Sequence, residues 1–62
     1  MSDYTAAEKL EELERELKMR RRVYPRWIAE RRMTAALMNR RIGILEAIAA
    51  DYREQAKAER LL

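Results

Sequence analysis

Apolar residues recur along this chain at the three-and-four spacing of helix faces. Thr5-Ala6-Ala7-Glu8 has the form of a capping box, in which the threonine hydroxyl accepts from the Glu8 amide and the Glu8 carboxylate accepts from the Thr5 amide. Beyond it Leu10, Leu13 and Leu17 continue by seven to Tyr24, one stripe of about four turns. Glu11–Arg15, Glu14–Lys18 and Glu16–Arg20 are spaced i,i+4 in the favourable orientation. The pattern predicts a first helix over residues 6–23. Pro25 is expected to end it, because its ring disfavours helical geometry at residue 24 and its nitrogen cannot donate. Proline also suits a first helical position, so residues 25–31 read as a short connecting helix whose Trp27 and Ile28 cover the open end of the core. Thr34 is the next cap, with Met33 and Met38 placed as a hydrophobic staple. A last helix is predicted over residues 35–60, its stripe made of Leu37 or Met38, Ile42, Leu45, Ile48 or Ala49, Tyr52 and Ala56.

The pattern carries a conclusion about assembly. Gly43 costs about 1 kcal/mol against alanine inside a helix, so a compensation is expected. With Ala47 it forms a small-xxx-small pair that would admit a close helix. Ile42, Ile44, Leu45 and Ile48 spread over a wider arc than one partner helix can cover. The reading is an all-α antiparallel hairpin with a short connecting helix, paired as a homodimeric four-helix bundle. The expected core is Leu10, Leu13, Leu17, Tyr24, Ile28, Leu37, Ile42, Leu45, Ile48 and Tyr52. The expected seam between copies is Leu13, Leu17, Ile42, Leu45, Ile48 and Tyr52.

Size and composition agree with that picture. At 62 residues the chain is one small domain, below the roughly 70–80 residues at which a single core is comfortably sufficient. It has no Cys and no His, so neither disulfides nor a zinc site can help. Hydrophobic residues make up 48% and charged residues 40%, with one Gly and one Pro. That is too apolar for disorder and too poor in turn residues for a sheet. The longest nearly uncharged run, residues 42–50, contains Glu46 and is far short of the roughly 20 residues of a membrane span. MSDYTAAEKL lacks the basic and apolar regions of a signal peptide, and a cytoplasmic location is expected.

Charge is segregated. Residues 1–17 carry six acids and two bases, a net −4. Residues 18–41 carry nine bases and one acid, a net +8, and residues 42–62 a net −1. The basic block comprises Lys18, Arg20, Arg21, Arg22, Arg26, Arg31, Arg32, Arg40 and Arg41, with Tyr24 and Trp27 interleaved. One reading is a tip that contacts phosphates and stacks bases; arginine also suits bidentate carboxylate contacts on an acidic protein. A plainer reading is macrodipole complementarity, apolar surface covered by arginine stems, and pairing with the chain's own acids. Trp27 divides similarly. It is either an interface anchor or a plug at the end of the core with Arg31 stacked over its ring. The four methionines read as gap-fillers or as adaptable binding surface.

Catalytic chemistry is sparse. Without His or Cys the usual general base and thiol nucleophile are missing. The hydroxyls are Ser2, Thr5, Thr34, Tyr4, Tyr24 and Tyr52, and both threonines have capping roles. Glu46 and Asp51 do not share a face at i,i+4, and no phosphate-binding glycine loop or calcium loop occurs. The chain is expected to be no enzyme, with no cofactor and no metal.

RRRVYPRW (residues 20–27), the Arg32-Met33-Thr34 turn and ILEAIAADYR (residues 44–53) resemble a group of small helical proteins encoded in tailed phages and prophages. The resemblance spans about two thirds of the chain and brings no site residues with it. It implies a phage-derived accessory protein acting in a bacterial cytoplasm. The function expected is a non-catalytic protein–protein interaction module that binds through the elbow, with Arg20, Arg21, Arg22, Arg26, Trp27, Arg31 and Arg32 as contacts. The alternative is nucleic-acid binding through the same arginines.

Overall fold

A computed structural model describes residues 3–61, and Ser2 lies outside them. Two helices form an antiparallel hairpin, α1 (Ala6–Ala29) and α2 (Ala35–Leu61). The molecule is a rod of 47 × 18 × 16 Å with a radius of gyration of 14.3 Å. A compact domain of this length would have a radius of about 10.6 Å.

The capping box at the start of α1 forms as the sequence predicts. The Glu8 amide donates to Thr5 Oγ1 at 3.1 Å, and the Thr5 amide donates to Glu8 Oε1 at 3.0 Å. That bond to the backbone amide, with the one from the hydroxyl, holds the Glu8 carboxyl below its ordinary value. A contact from the far end of the chain completes this terminus. The Ala6 amide donates to Glu59 Oε1 at 2.6 Å and to Oε2 at 3.2 Å. One of the orphan donors of α1 is thereby met by a carboxylate at the positive end of the helix dipole. Of the surface pairs, Glu11–Arg15 closes at 3.6 Å and Glu16–Arg20 at 3.3 Å. Glu14–Lys18 does not close among the described residues, and Arg15 also takes Glu12 at 2.6 Å.

Pro25 does not end α1, and no separate connecting helix forms. The proline lies inside a continuous 24-residue helix. It removes one backbone donor from the ladder and strains the preceding turn, a cost of about 3 kcal/mol in a helix interior. Keeping the helical phase through it places Tyr24 in the core and packs Trp27 and Ile28 against that core. Those side chains outweigh the local penalty, while Pro25 itself stays on the exposed side.

The helix ends at Ala29 in a Schellman turn. The Arg32 amide donates to the Trp27 carbonyl at 2.8 Å and the Arg31 amide to the Ile28 carbonyl at 3.0 Å. Arg31 takes the left-handed position with φ 60°, where glycine is the usual choice. Thr34 then caps α2, accepting from the Leu37 amide at 3.1 Å. Met33 is buried and Met38 packs on the same cluster, as the staple predicts.

The core follows a heptad register. On α1 the inward positions are Leu10, Leu13, Leu17, Arg20, Tyr24 and Trp27; on α2 they are Met38, Ile42, Leu45, Ala49, Tyr52 and Ala56. Spacings alternate between three and four, the mean of 3.5 that suits a left-handed antiparallel coil. Leu17, Tyr24, Met33, Ile42 and Ala49 are buried together. Two expected core residues lie outside this seam: Leu37 is 37% exposed and Ile48 is 38% exposed. The phase set by Ile42, Leu45 and Tyr52 selects Met38 and Ala49 instead. A small residue there lets α1, with its larger leucines and Tyr24, come close. Gly43 has no part in the contact, since a Cβ built on it meets nothing within 4 Å. Among the described residues, no helix is long and apolar enough to cross a membrane.

Candidate functional site

The elbow carries Arg26, Arg31 and Arg32 at one tip of the rod, while Lys18, Arg20 and Arg21 lie back along α1, Lys18 and Arg21 lining a groove with Glu14, Glu46 and Arg53. The elbow's shape comes from the Schellman turn, which folds Arg32 back over the last turn of α1. The Arg32 guanidinium sits 5.0 Å from the Trp27 ring centroid, within cation–π range. Arg32, not Arg31, therefore stacks on the tryptophan; the left-handed Arg31 is the hinge that turns the chain for it. Tyr24 packs beside Trp27 at 5.6 Å with a tilt of 44°, an ordinary offset geometry. Trp27 is half-buried, fixed between a tyrosine and an arginine.

The seven elbow residues expected to bind a partner fall into three groups. Arg20, Arg21 and Arg32 are engaged within the chain. Arg20 pairs with Glu16 and its Nη1 donates to the Tyr24 hydroxyl at 3.4 Å. Arg21 crosses to α2 and pairs with Glu46 at 3.3 Å. Arg32 pairs with Glu30 at 3.4 Å besides capping Trp27. Arg22, Arg26 and Arg31, by contrast, are exposed and make no side-chain ion pair or hydrogen bond among the described residues. Trp27 forms the third group, an aromatic shelf beside them. Sequence reasoning treated the arginines as one set, and Arg21–Glu46 shows that part of the block answers the chain's own acids.

Of the expected seam residues, Leu17 and Ile42 are buried between the two helices of the one chain. Leu13, Leu45 and Tyr52 are half-buried along the same line. Only Ile48 stands open.

The two long sides of the hairpin differ in chemistry. On one side the groove between the helices is lined by Glu14, Lys18, Arg21, Glu46 and Arg53 above Leu17 and Ala49. It is bridged by the Arg21–Glu46 pair. On the other side, Leu13, Ile48 and Tyr52 line a groove edged by Glu8, Glu11, Glu12 and Glu16 and by Lys9, whose Nζ lies 5.6 Å from the Tyr52 ring centroid. Toward the elbow that side continues with Ile44 and Leu45 between Arg20 and Arg41. Met19 is 41% exposed and Ile44 47% exposed, and both belong to this second side by their heptad positions. Arg20, expected as a partner contact of the elbow, belongs to this side instead. It occupies an inward position of the seam, and its Nε is buried with no hydrogen-bond partner among the described residues. The three-and-four count from Leu17 to Tyr24 could have given this inward placement.

Among the described residues no three Asp or Glu side chains are grouped to hold a metal ion. Comparison of the chain with protein-family models, with curated proteins and with solved structures found no match.

Proposed function

We propose that the chain is a non-catalytic interaction module that forms a homodimeric four-helix bundle and binds a protein partner through its elbow. The observation that carries the reading is the set of Arg22, Arg26 and Arg31, exposed and unanswered within the chain among the described residues, beside a Trp27 ring that Arg32 holds in place at 5.0 Å. A preorganised aromatic flanked by open guanidinium groups suits an acidic protein surface, where arginine forks pair with carboxylates and the ring contributes apolar area. The phage or prophage setting rests on the resemblance of residues 20–27, 32–34 and 44–53 alone.

The second reading is nucleic-acid binding through the same arginines. It is favoured by the net +8 of residues 18–41. Salt separates the two, because phosphate contacts release counterions and weaken log-linearly with salt, whereas a contact anchored by Trp27 responds less.

The experiment is a tagged pull-down from bacterial lysate, with and without nuclease, comparing the wild type with Arg22→Glu/Arg26→Glu and with Trp27→Ala. The reading expects a discrete protein that survives nuclease and is lost with both variants. Nucleic acid recovered alone, and lost after nuclease, would replace it with the second reading.

A further inference from the structure

The face carrying Ile44 and Ile48 is left uncovered by the hairpin, and its chemistry identifies what covers it. We infer that it docks on the same face of a second copy, the two hairpins running antiparallel about a two-fold axis near Ile48. This rests on the dimeric reading above and adds the face, the symmetry and the pairing to it.

Three observations carry the inference. The first is area. The chain exposes 5279 Å², whereas a compact monomer of 7.5 kDa is expected to expose about 4,200 Å². The excess of about 1,000 Å² compares with the roughly 800 Å² that one partner contributes to a standard interface. The second is segregation. Met19, Leu37, Ile44 and Ile48 are exposed at 41%, 37%, 47% and 38%, and the heptad register places all four on this side, while the opposite groove is charged and bridged.

The third is charge. On this one face the open end of the hairpin carries Glu8, Glu11, Glu12 and Glu16 against the single cation Lys9, a net negative end, and the elbow end carries Arg20 and Arg41. Such a face is complementary to itself when turned end for end, which is the condition for an isologous contact. Taking the Arg21–Glu46 pair as register, Glu12 and Arg41 lie at comparable distances on either side of Ile48. An antiparallel pair therefore sets the acidic end of each copy, at the level of Glu12, over the basic end of the other, at the level of Arg41. A parallel pair would bring like charges together at both ends. A partner of unrelated sequence would have to reproduce both halves of this pattern.

Sedimentation equilibrium tests the assignment. The wild type is expected to be a dimer. Ile48→Glu and Ile44→Glu, both outside the hairpin core, are expected to raise the dimer Kd by about 30-fold or more with helical circular dichroism retained. Ala50→Glu, on the opposite side, is expected to leave it unchanged. Glu12→Arg and Arg41→Glu should each weaken the dimer by about tenfold, since a two-fold axis makes every reversal act twice. Combining them should restore it. A monomeric wild type at 100 µM would overturn both the dimer and this face. A dimer indifferent to Ile44→Glu and Ile48→Glu would overturn the face and leave the dimer standing. Loss of the dimer in those variants without rescue by the double reversal would overturn the antiparallel arrangement.

Discussion

At the scale of the residue, the elbow is built on a local misfit. Arg31 sits at φ 60°, a region that costs a non-glycine residue about 1–2 kcal/mol. The surrounding turn enforces it, with hydrogen bonds from the Arg31 and Arg32 amides on either side of the strained unit. Arg31→Gly should relieve the strain but enlarge the freedom of the unfolded chain, for a net stabilisation of about 0.5–1 kcal/mol by urea denaturation. If the Arg31 guanidinium serves the elbow, the same variant should be more stable and bind its partner less. Glu8 offers a second residue-scale test. Its carboxyl is held below the ordinary 4.5 by the Thr5 amide and hydroxyl. Because the folded value is depressed, the cap's contribution is complete above the ordinary carboxylate range and fades as pH falls through the lowered value. Titration of Glu8 followed by NMR should show the depressed midpoint. In Glu8→Gln the acid-side loss of stability should be shallower.

At the scale of the element, two substitutions separate what α2 does inside the hairpin from what it leaves open. Gly43 meets nothing a Cβ would touch, so Gly43→Ala should recover its helix propensity, about 1 kcal/mol. In a chain this small that raises Tm by about 4–8 °C. A fall in Tm would show that another helix does approach there. Leu17, buried at 5% exposure, behaves oppositely: Leu17→Ala should cost about 2–5 kcal/mol and leave the chain largely unfolded by circular dichroism. These elements also show what was legible in the sequence. Both caps, the staple, α2 and the leucine stripe of α1 are local patterns, and they form where their residues predict. Pro25 misled because a local penalty was weighed without the tertiary gain from Trp27 and Ile28. Ile48 misled because hydrophobicity favours it over Ala49, while the heptad phase and close approach to α1 select the alanine. Glu59 was invisible, since its bond to Ala6 joins positions 53 residues apart. At the elbow, the basic block was legible as composition, but not its division into engaged and open arginines, which depends on the Schellman turn and on Glu46.

At the scale of the whole molecule, the two surfaces differ in chemistry. The tip presents charge and one fixed aromatic; the flank presents aliphatic area between an acidic and a basic end. Arg20 connects the two, lying in the seam beside Tyr24 yet lining the aliphatic flank. A half-buried guanidinium with its Nε inside the seam is a poor source of stability and a good source of register, as polar residues at inward coiled-coil positions show elsewhere. The Ala6–Glu59 bond has a mechanical consequence. It fastens the two helices at the end remote from the elbow, so a load that draws Ala6 and Glu59 apart acts across the rod and falls on one seam layer at a time. The hairpin should then yield as a zip does, opening from Leu10 and Ala56 toward Tyr24 at low force. A load applied along the axis, against all the layers together, would meet far greater resistance.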